Sequence, residues 1–322
     1  MTPIEKRAPG ADPSHPEGEG PAPPLRLAIV STPRSGNTWL RFLLSDLYGV
    51  PGLAAHNPGE VAWRTLPPEC LLQIHWHRTV PFLTRLTQHR FRVVTIARHP
   101  LDVLISLLHH ALHTLDDRAL EGQAGSERSL VGAMPRSTAF LRYATSQRAA
   151  ALLSITPQWW HAPGVRAIRY EALVADTEGE LGDLSGSLDV EACRCIAEVI
   201  ASLTMAELRA RTGNESHFWV GRPGLWRRLL TAAEASEIAS VHAGVFAGLG
   251  YECDPDPHLG AAEADANWVE LIRDERADEI GKLAAARQAL ADLRQRYRQT
   301  EARLEEARRA LAEAFHREAS HR

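Results

Sequence analysis

One stretch, Leu25 to Leu44 (LRLAIVSTPRSGNTWLRFLL), constrains this chain more than any other. Leu27-Ala28-Ile29-Val30 is a short apolar run bounded by turn formers, the pattern of a strand buried on both faces. A polar turn, Ser31 to Thr38, follows, and then Trp39, Leu40, Phe42, Leu43, Leu44 and Leu47 recur at helical spacing. Strand, tight loop and helix in that order build an anion site. The loop amides and the unpaired N–H groups of the first helical turn point at one spot, where the helix dipole favours negative charge. Gly36 lets the backbone approach a ligand closely, Arg34 supplies a fixed positive charge, and Ser35, Asn37 and Thr38 add donors. The G-x-x-x-x-G-K-[ST] pattern of nucleoside triphosphate loops is absent, so no lysine precedes a Mg²⁺-binding hydroxyl. An ordinary strand-to-helix turn with an exposed arginine is the plainer alternative.

Further short apolar runs extend the pattern. Cys70 to His77 reads as a second strand whose end delivers His75 or His77 to the same edge as the loop, and Phe91 to Ala97 reads as a third. The third stops at Arg98-His99-Pro100, where proline fits the first turn of a helix with Leu101, Leu104, Ile105 and Leu108 on its buried face. Arg98 thus sits at a strand's carboxyl end and Ser106 about two turns into that helix, where a parallel sheet opens its ligand crevice. Val165 to Tyr170 is a fourth strand, ending at Tyr170-Glu171. Gly49 to Pro68 reads as a connection, Phe82 to Leu86 as a short helix and Thr114 to Ser137 as a mobile lid or surface insertion. Single helices are expected over Thr138 to Thr156, Val174 to Leu188 and Ala232 to Leu249, with a Gly-rich loop from Phe218 to Arg227.

The two ends differ from this domain. Residues 1–24 are rich in Pro and Gly with few apolar groups, so they read as a disordered tail. The globular domain spans 25–257. From 264 to 322 the chain lacks proline and is rich in Ala, Glu, Arg and Leu. Leu283, Leu290, Tyr297, Leu304 and Leu311 recur every seven residues, with Ala286, Leu293, Thr300, Ala307 and Ala314 three behind. That a/d seam predicts a coiled coil, joining two copies or a partner protein, with a single helix folded on the domain as the alternative.

Composition excludes several classes. A net charge of −4 leaves no basic field for a nucleic-acid partner. Four cysteines, Cys70, Cys193, Cys195 and Cys253, are too few and too irregular for a disulfide framework or a cysteine zinc site. No apolar run approaches the ~20 residues of a membrane span, and the N-terminus lacks the apolar core of a secretory signal. The expected location is the cytoplasm. His109 and His113 stand one helical turn apart beside His110, but neither an H-E-x-x-H pattern nor a third ligand accompanies them. No metal is expected there; these histidines are expected to line a pocket below the lid.

Together these segments resemble the sulfotransferases that use 3′-phosphoadenosine 5′-phosphosulfate (PAPS). The family's phosphosulfate loop runs close to Y-P-K-S-G-T-T-W-L; here Thr32 to Leu40 reads T-P-R-S-G-N-T-W-L, with Arg34 for lysine and Asn37 for the first threonine. The family's 3′-phosphate segment pairs an arginine and a serine eight positions apart, the spacing of Arg98 and Ser106. Its K-T-H-like strand end falls on Gln73-Ile74-His75, with glutamine at the lysine position. Its Y-E-D-like strand end falls on Tyr170-Glu171-Ala172, and its T-S-F element near Leu203-Thr204-Met205. The late R-K-G-x-x-G segment falls on Trp219 to Arg227, where the leading basic pair has become Trp219-Val220 and Arg222 or Arg227 substitutes.

The resemblance covers roughly Leu25 to Glu252 and implies a P-loop-like α/β domain of three layers, a central, mainly parallel sheet flanked by helices, with the coiled-coil helix appended. It implies PAPS as cosubstrate and its desulfated product PAP, with no metal. His75 becomes the general base, and Arg34 stabilises the leaving phosphate oxygen. Ser35, Gly36, Asn37 and Thr38 cradle the 5′ group, Arg98 and Ser106 hold the 3′-phosphate, and Tyr170, Thr204, Met205, Gly221 and Arg222 contact the nucleotide. Trp39 stacks on the adenine or belongs to the core. The acceptor is then a small molecule, lipid or carbohydrate bearing a hydroxyl or amine. Two rivals remain: a nucleotide kinase or NTPase using the same loop, and a catalytically decayed scaffold presenting the coiled coil.

Overall fold

The opening strand, β1 (Arg26–Val30), shows how the layers assemble. Its alternate side chains enter two different cores. Leu27 and Ile29 pack with Leu40, Leu43, Leu44 and Leu47 of α1 (Asn37–Tyr48), while Ala28 and Val30 pack with Phe82, Leu86 and Trp159 on the other face. A strand with both faces covered must be apolar throughout, which is why this run carries no alternation. The structure is a computed structural model and describes residues 24–113, 127–188, 190–212 and 218–319. The tail expected over residues 1–24 lies, apart from Pro24, outside them.

β2 (Gly52–Ala55), β3 (Cys70–Ile74), β4 (Arg92–Ala97) and β5 (Val165–Arg169) join β1 in a five-stranded sheet of order β2-β3-β1-β4-β5. Every pairing is parallel. Val30 is in register with Ile74, and Thr95 donates its hydroxyl to the Val30 carbonyl at 2.7 Å. The carboxyl ends of β1, β3 and β4 therefore finish level, and the chain crosses from one side of β1 to the other between β3 and β4. That change of direction is where an open parallel sheet leaves a crevice.

Helices cover the sheet: α2 (Val80–Gln88), α3 (Pro100–His113), α4 (Thr138–Ala144), α5 (Gln147–Leu153), α6 (Ile155–Trp160), α7 (Tyr170–Ala175), α8 (Thr177–Leu188), α9 (Ile196–Ser202), α10 (Met205–Thr212), α11 (Ala232–Val241), α12 (Ala243–Leu249) and α13 (Ala261–Ala319). A third core lies away from the sheet, where α3, α4, α5, α11 and α12 close around Phe140 and Trp226. Three sequence expectations change. The helix expected over Thr138 to Thr156 is three helices, because Ser137 and Ser146 each accept a backbone N–H at a fresh N-terminus. The Ala232 to Leu249 helix breaks at His242, whose buried ring bonds the Ala144 carbonyl at 2.6 Å. The Gly49 to Pro68 connection contains the edge strand β2.

Of the expected lid, residues 114–126 lie outside the described residues. The described remainder is anchored rather than free: Leu130 and Ala133 are buried in the helical core. Glu127 accepts hydrogen bonds from Tyr143 (3.0 Å) and Arg148 (3.1 Å). The long C-terminal helix starts inside the domain as well. Ala264 and Trp268 are buried, and Arg136 bonds both the Ala261 carbonyl (2.8 Å) and Asp265 (3.0 Å). Beyond these turns Leu283, Leu290, Leu293, Tyr297 and Leu304 are exposed. Among the described residues no helix is long and apolar enough to cross a membrane.

One buried carboxylate joins the helical core to the crevice. Asp102, in the first turn of α3, accepts the backbone N–H groups of Gly224 (2.6 Å) and Trp226 (3.2 Å) and so pins the Gly-rich loop. Asp102→Ala leaves two amides unpaired. It is expected to lower unfolding stability by about 2–4 kcal/mol, measured by urea denaturation, with Asp102→Asn intermediate.

Candidate active site

A cleft of about 1050 Å³ opens at the carboxyl ends of β1, β3 and β4. Its floor is the loop after β1. Arg34 and Gly36 both adopt positive φ, 66° and 99°. For arginine this conformation is unfavourable by roughly 1–2 kcal/mol, and it turns the backbone into the kind of concavity that binds anions. Gly36 permits it. A Cβ there would stand 2.5 Å from the Tyr170 ring.

The loop is braced from within. Asn37 donates to the Thr32 carbonyl (2.9 Å) and accepts from the Ser31 hydroxyl. Thr156 at the start of α6 accepts the Thr32 N–H at 2.8 Å and meets its hydroxyl at 3.0 Å. The Asn37 side chain is therefore committed to holding the loop, and Ser35 is buried beneath it. Arg34, Gly36, Asn37, Thr38 and Trp39 line the cleft.

Two guanidinium groups share this floor. Arg34 donates from Nε to the Ser106 hydroxyl at 3.1 Å, and Arg98 donates to the Arg34 carbonyl at 3.2 Å. Arg98 also lies over the Tyr170 ring, 4.7 Å from its centroid, and its Nε is buried without a hydrogen-bond partner. Burial, with Arg98 nearby, lowers the Arg34 pKa to about 10. Asp102, the acid nearest Arg98 in sequence, is taken by the Gly224 and Trp226 N–H groups, and Glu171 by the His99 N–H (2.9 Å) and the Tyr251 hydroxyl (2.7 Å). Paired, half-buried guanidinium groups of this kind have the chemistry to hold phosphate or sulfate oxygens.

His75 follows directly on β3. Its Nδ1 lies 2.9 Å from the Ser31 carbonyl, which can only accept, so Nδ1 carries the proton and Nε2 presents a lone pair. Burial lowers the His75 pKa to about 4 against the opposing pull of that hydrogen bond, with His56 and Arg34 contributing. Gln73 stands 3.4 Å from Nε2, and its Oε1 accepts from Arg41 Nε at 3.0 Å. Arg41 thus places a positive group behind Gln73. His77 sits at the rim with Gln158 at 3.0 Å.

The remaining expected residues divide. Tyr170 donates its hydroxyl to the Gly221 carbonyl at 2.7 Å and meets Trp39 edge-on at 6.2 Å. Tyr170, Gly221, Arg222 and Met205 all line the cleft. Thr204 does not; its hydroxyl accepts the Glu207 N–H at 3.3 Å and caps α10. Arg227 is drawn away by an ion pair with Asp254, which leaves Arg222 as the arginine of that segment in the cleft. Of the helical histidines, His110 lines the cleft, whereas His109 and His113 face Glu275 of α13. Sequence reasoning missed His56, Asn57, Glu127 and Arg148, which also line it. They come from the β2 connection, the expected lid and α5, and no local motif marks them.

No protein-family model matches the chain, and no curated protein matches it. Among solved structures it is similar to mouse sulfotransferase SULT7A1 complexed with PAP, at 16% identity and a TM-score of 0.53, over 69% of this chain and 85% of that one. Retinol dehydratase in complex with androsterone and inactive cofactor PAP is less similar, at 14% identity and a TM-score of 0.49 over 70% and 82% of the two chains. The sulfotransferase domain from the curacin biosynthetic pathway shares 15% identity at a TM-score of 0.38, over 72% and 99%. At such identities the likeness is one of fold. With its five-stranded parallel sheet flanked by helices, the chain has the fold of a sulfotransferase.

Proposed function

We propose that the chain transfers a sulfuryl group from PAPS to a hydroxyl or amine of a small-molecule, lipid or carbohydrate acceptor, with His75 as general base in an in-line attack. The observation that supports this most is the pairing of Arg34 with Arg98 on the floor of a cleft that also holds a neutral His75. Arg34 and the amides from Gly36 to Thr38 hold the 5′-phosphosulfate end and stabilise the charge that grows on the leaving phosphate oxygen. Arg98 and Ser106 take the 3′-phosphate, which fits the unpartnered Arg98 Nε. Trp39, Tyr170, Met205, Gly221 and Arg222 surround the nucleoside.

His75 Nε2 removes the acceptor proton as the acceptor attacks sulfur. Gln73 and Arg41 orient the ring's surroundings in place of a lysine. The acceptor side combines apolar walls, Trp76, Leu107, Leu152 and Ile155, with His56, Asn57 and His110, which suits a molecule with an apolar body and a polar reacting end. A kinase reading finds no support in the loop, which lacks the lysine and hydroxyl pair, or at the end of β4, where Arg98 stands.

The long helix supports a second proposal about assembly: the exposed Leu283, Leu290, Leu293, Tyr297 and Leu304 join two copies in a coiled coil. Leu283→Glu with Leu290→Glu is expected to halve the mass measured by analytical ultracentrifugation; an unchanged mass argues against self-association through this face.

Calorimetry is expected to show metal-independent PAP binding, and ATP binding only with Mg²⁺ would favour the kinase. Labelled PAPS with an acceptor panel is expected to yield a sulfated product; no transfer at all would favour the scaffold. His75→Ala is expected to lower kcat roughly 10²–10⁴-fold while PAP affinity stays within error, and lost PAP binding would make His75 structural. Arg98→Ala is expected to weaken PAP by about 1.5–3 kcal/mol. Because the neutral imidazole is the active form and its pKa is lowered to about 4, kcat/KM should hold as pH falls past 6 and decline only toward pH 4. An acid limb near the ordinary histidine value of about 6.5 would contradict the assignment.

A further inference from the structure

His109 and His113, one turn apart on α3, were two metal-type ligands without a third in the sequence; the fold brings the third from 166 residues beyond His109. Glu275 of α13 lies with both carboxylate oxygens 2.9 Å from His109 Nε2, and its Oε2 is 3.4 Å from His113 Nε2. All three ligand atoms fall within 4.8 Å of one another. His109 is fully buried and stacks face to face on Trp219 at 4.0 Å, while Trp219 meets Trp268 of α13 edge-on at 5.9 Å. Glu275 and His113 keep 16% and 23% of their side-chain surface exposed, so solvent reaches the cluster from one side.

We propose that His109, His113 and Glu275 bind a divalent transition-metal ion of the zinc, cobalt or nickel class, which fastens α13 to the wall of the cleft. Two imidazoles and one carboxylate suit these borderline ions rather than Mg²⁺ or Ca²⁺, which prefer oxygen. Bonds of about 2.0–2.2 Å place tetrahedral ligands roughly 3.3–3.6 Å apart, and the three ligand atoms here lie within 4.8 Å of one another. Without an ion, the same three groups form a hydrogen-bonded clamp in which the carboxylate accepts from both rings. With an ion, the two imidazoles turn their Nε2 lone pairs, and the carboxylate an oxygen, toward one centre. An ion at the centre satisfies all three groups and leaves a fourth position to water on the exposed side.

The full-length chain, stripped with chelator and titrated with Co²⁺, is expected to bind one ion per chain with visible ligand-field bands and no thiolate charge-transfer band. Glu275→Gln and His113→Ala should each abolish those bands at Co²⁺ concentrations that saturate the unaltered chain, with far-UV circular dichroism confirming the fold. Replacing Cys193 and Cys195 together by serine should change nothing. Zn²⁺ should compete for the site and raise Tm with the logarithm of its free concentration in the unaltered chain but not in Glu275→Gln. No stoichiometric binding, a thiolate band, or bands unchanged in Glu275→Gln would each overturn the proposal and leave a hydrogen-bonded clamp. None of these readouts depends on PAPS or an acceptor, so they stand apart from the proposed transferase activity.

Discussion

The cleft depends on holding two positive charges together. Arg98 donates to the backbone carbonyl of Arg34, which ties its guanidinium to the loop that carries the other charge, while Ser106 holds the Arg34 side chain. Like charges in a half-buried setting repel, and the Arg34 backbone is strained as well. Much of the surrounding structure opposes that tendency. Thr156 grips Thr32, Asn37 ties the loop to itself, Tyr170 packs against Gly36 and reaches Gly221, and Asp102 holds the following loop by two amides. On the proposed function, a bound polyanion would relieve that repulsion.

The parallel sheet makes this economy of parts work. Because β1, β3 and β4 end level, three short segments far apart in sequence deliver a loop, a histidine and an arginine to one edge. None of the three needs a long loop of its own, and the geometry is set by backbone pairing rather than by flexible side chains.

How much of this was legible follows from whether the signal was local. The strands β1, β3 and β4 are largely apolar runs that could be read directly, and β5, with Arg166 and Arg169 among its apolar residues, through its short β-branched pattern. β2 could not, since Gly-Leu-Ala-Ala has little strand propensity and is held by pairing with β3 alone. The helix breaks at Ser146 and His242 lay hidden because helical periodicity carries across them, while a cap and a buried ring bond decide the outcome. Arg34, Arg98, Ser106 and Tyr170 were legible through motif spacing. Arg41 behind Gln73, Arg148 beside Glu127 and Glu275 beside the two histidines were not, because each pairing is made only by tertiary packing.

The C-terminal helix has a mechanical consequence. It is 59 residues long and its first turns are locked into the domain through Trp268 and Arg136. Its remaining length, from Glu275 to Ala319, extends roughly 65 Å at 1.5 Å per residue. A flexible linker of that many residues would average over a sphere of directions, but a continuous helix acts as a strut. Whatever docks along it stands at a set distance and bearing from the cleft, so the reach of the domain toward a docked partner is a matter of geometry rather than of chance encounter.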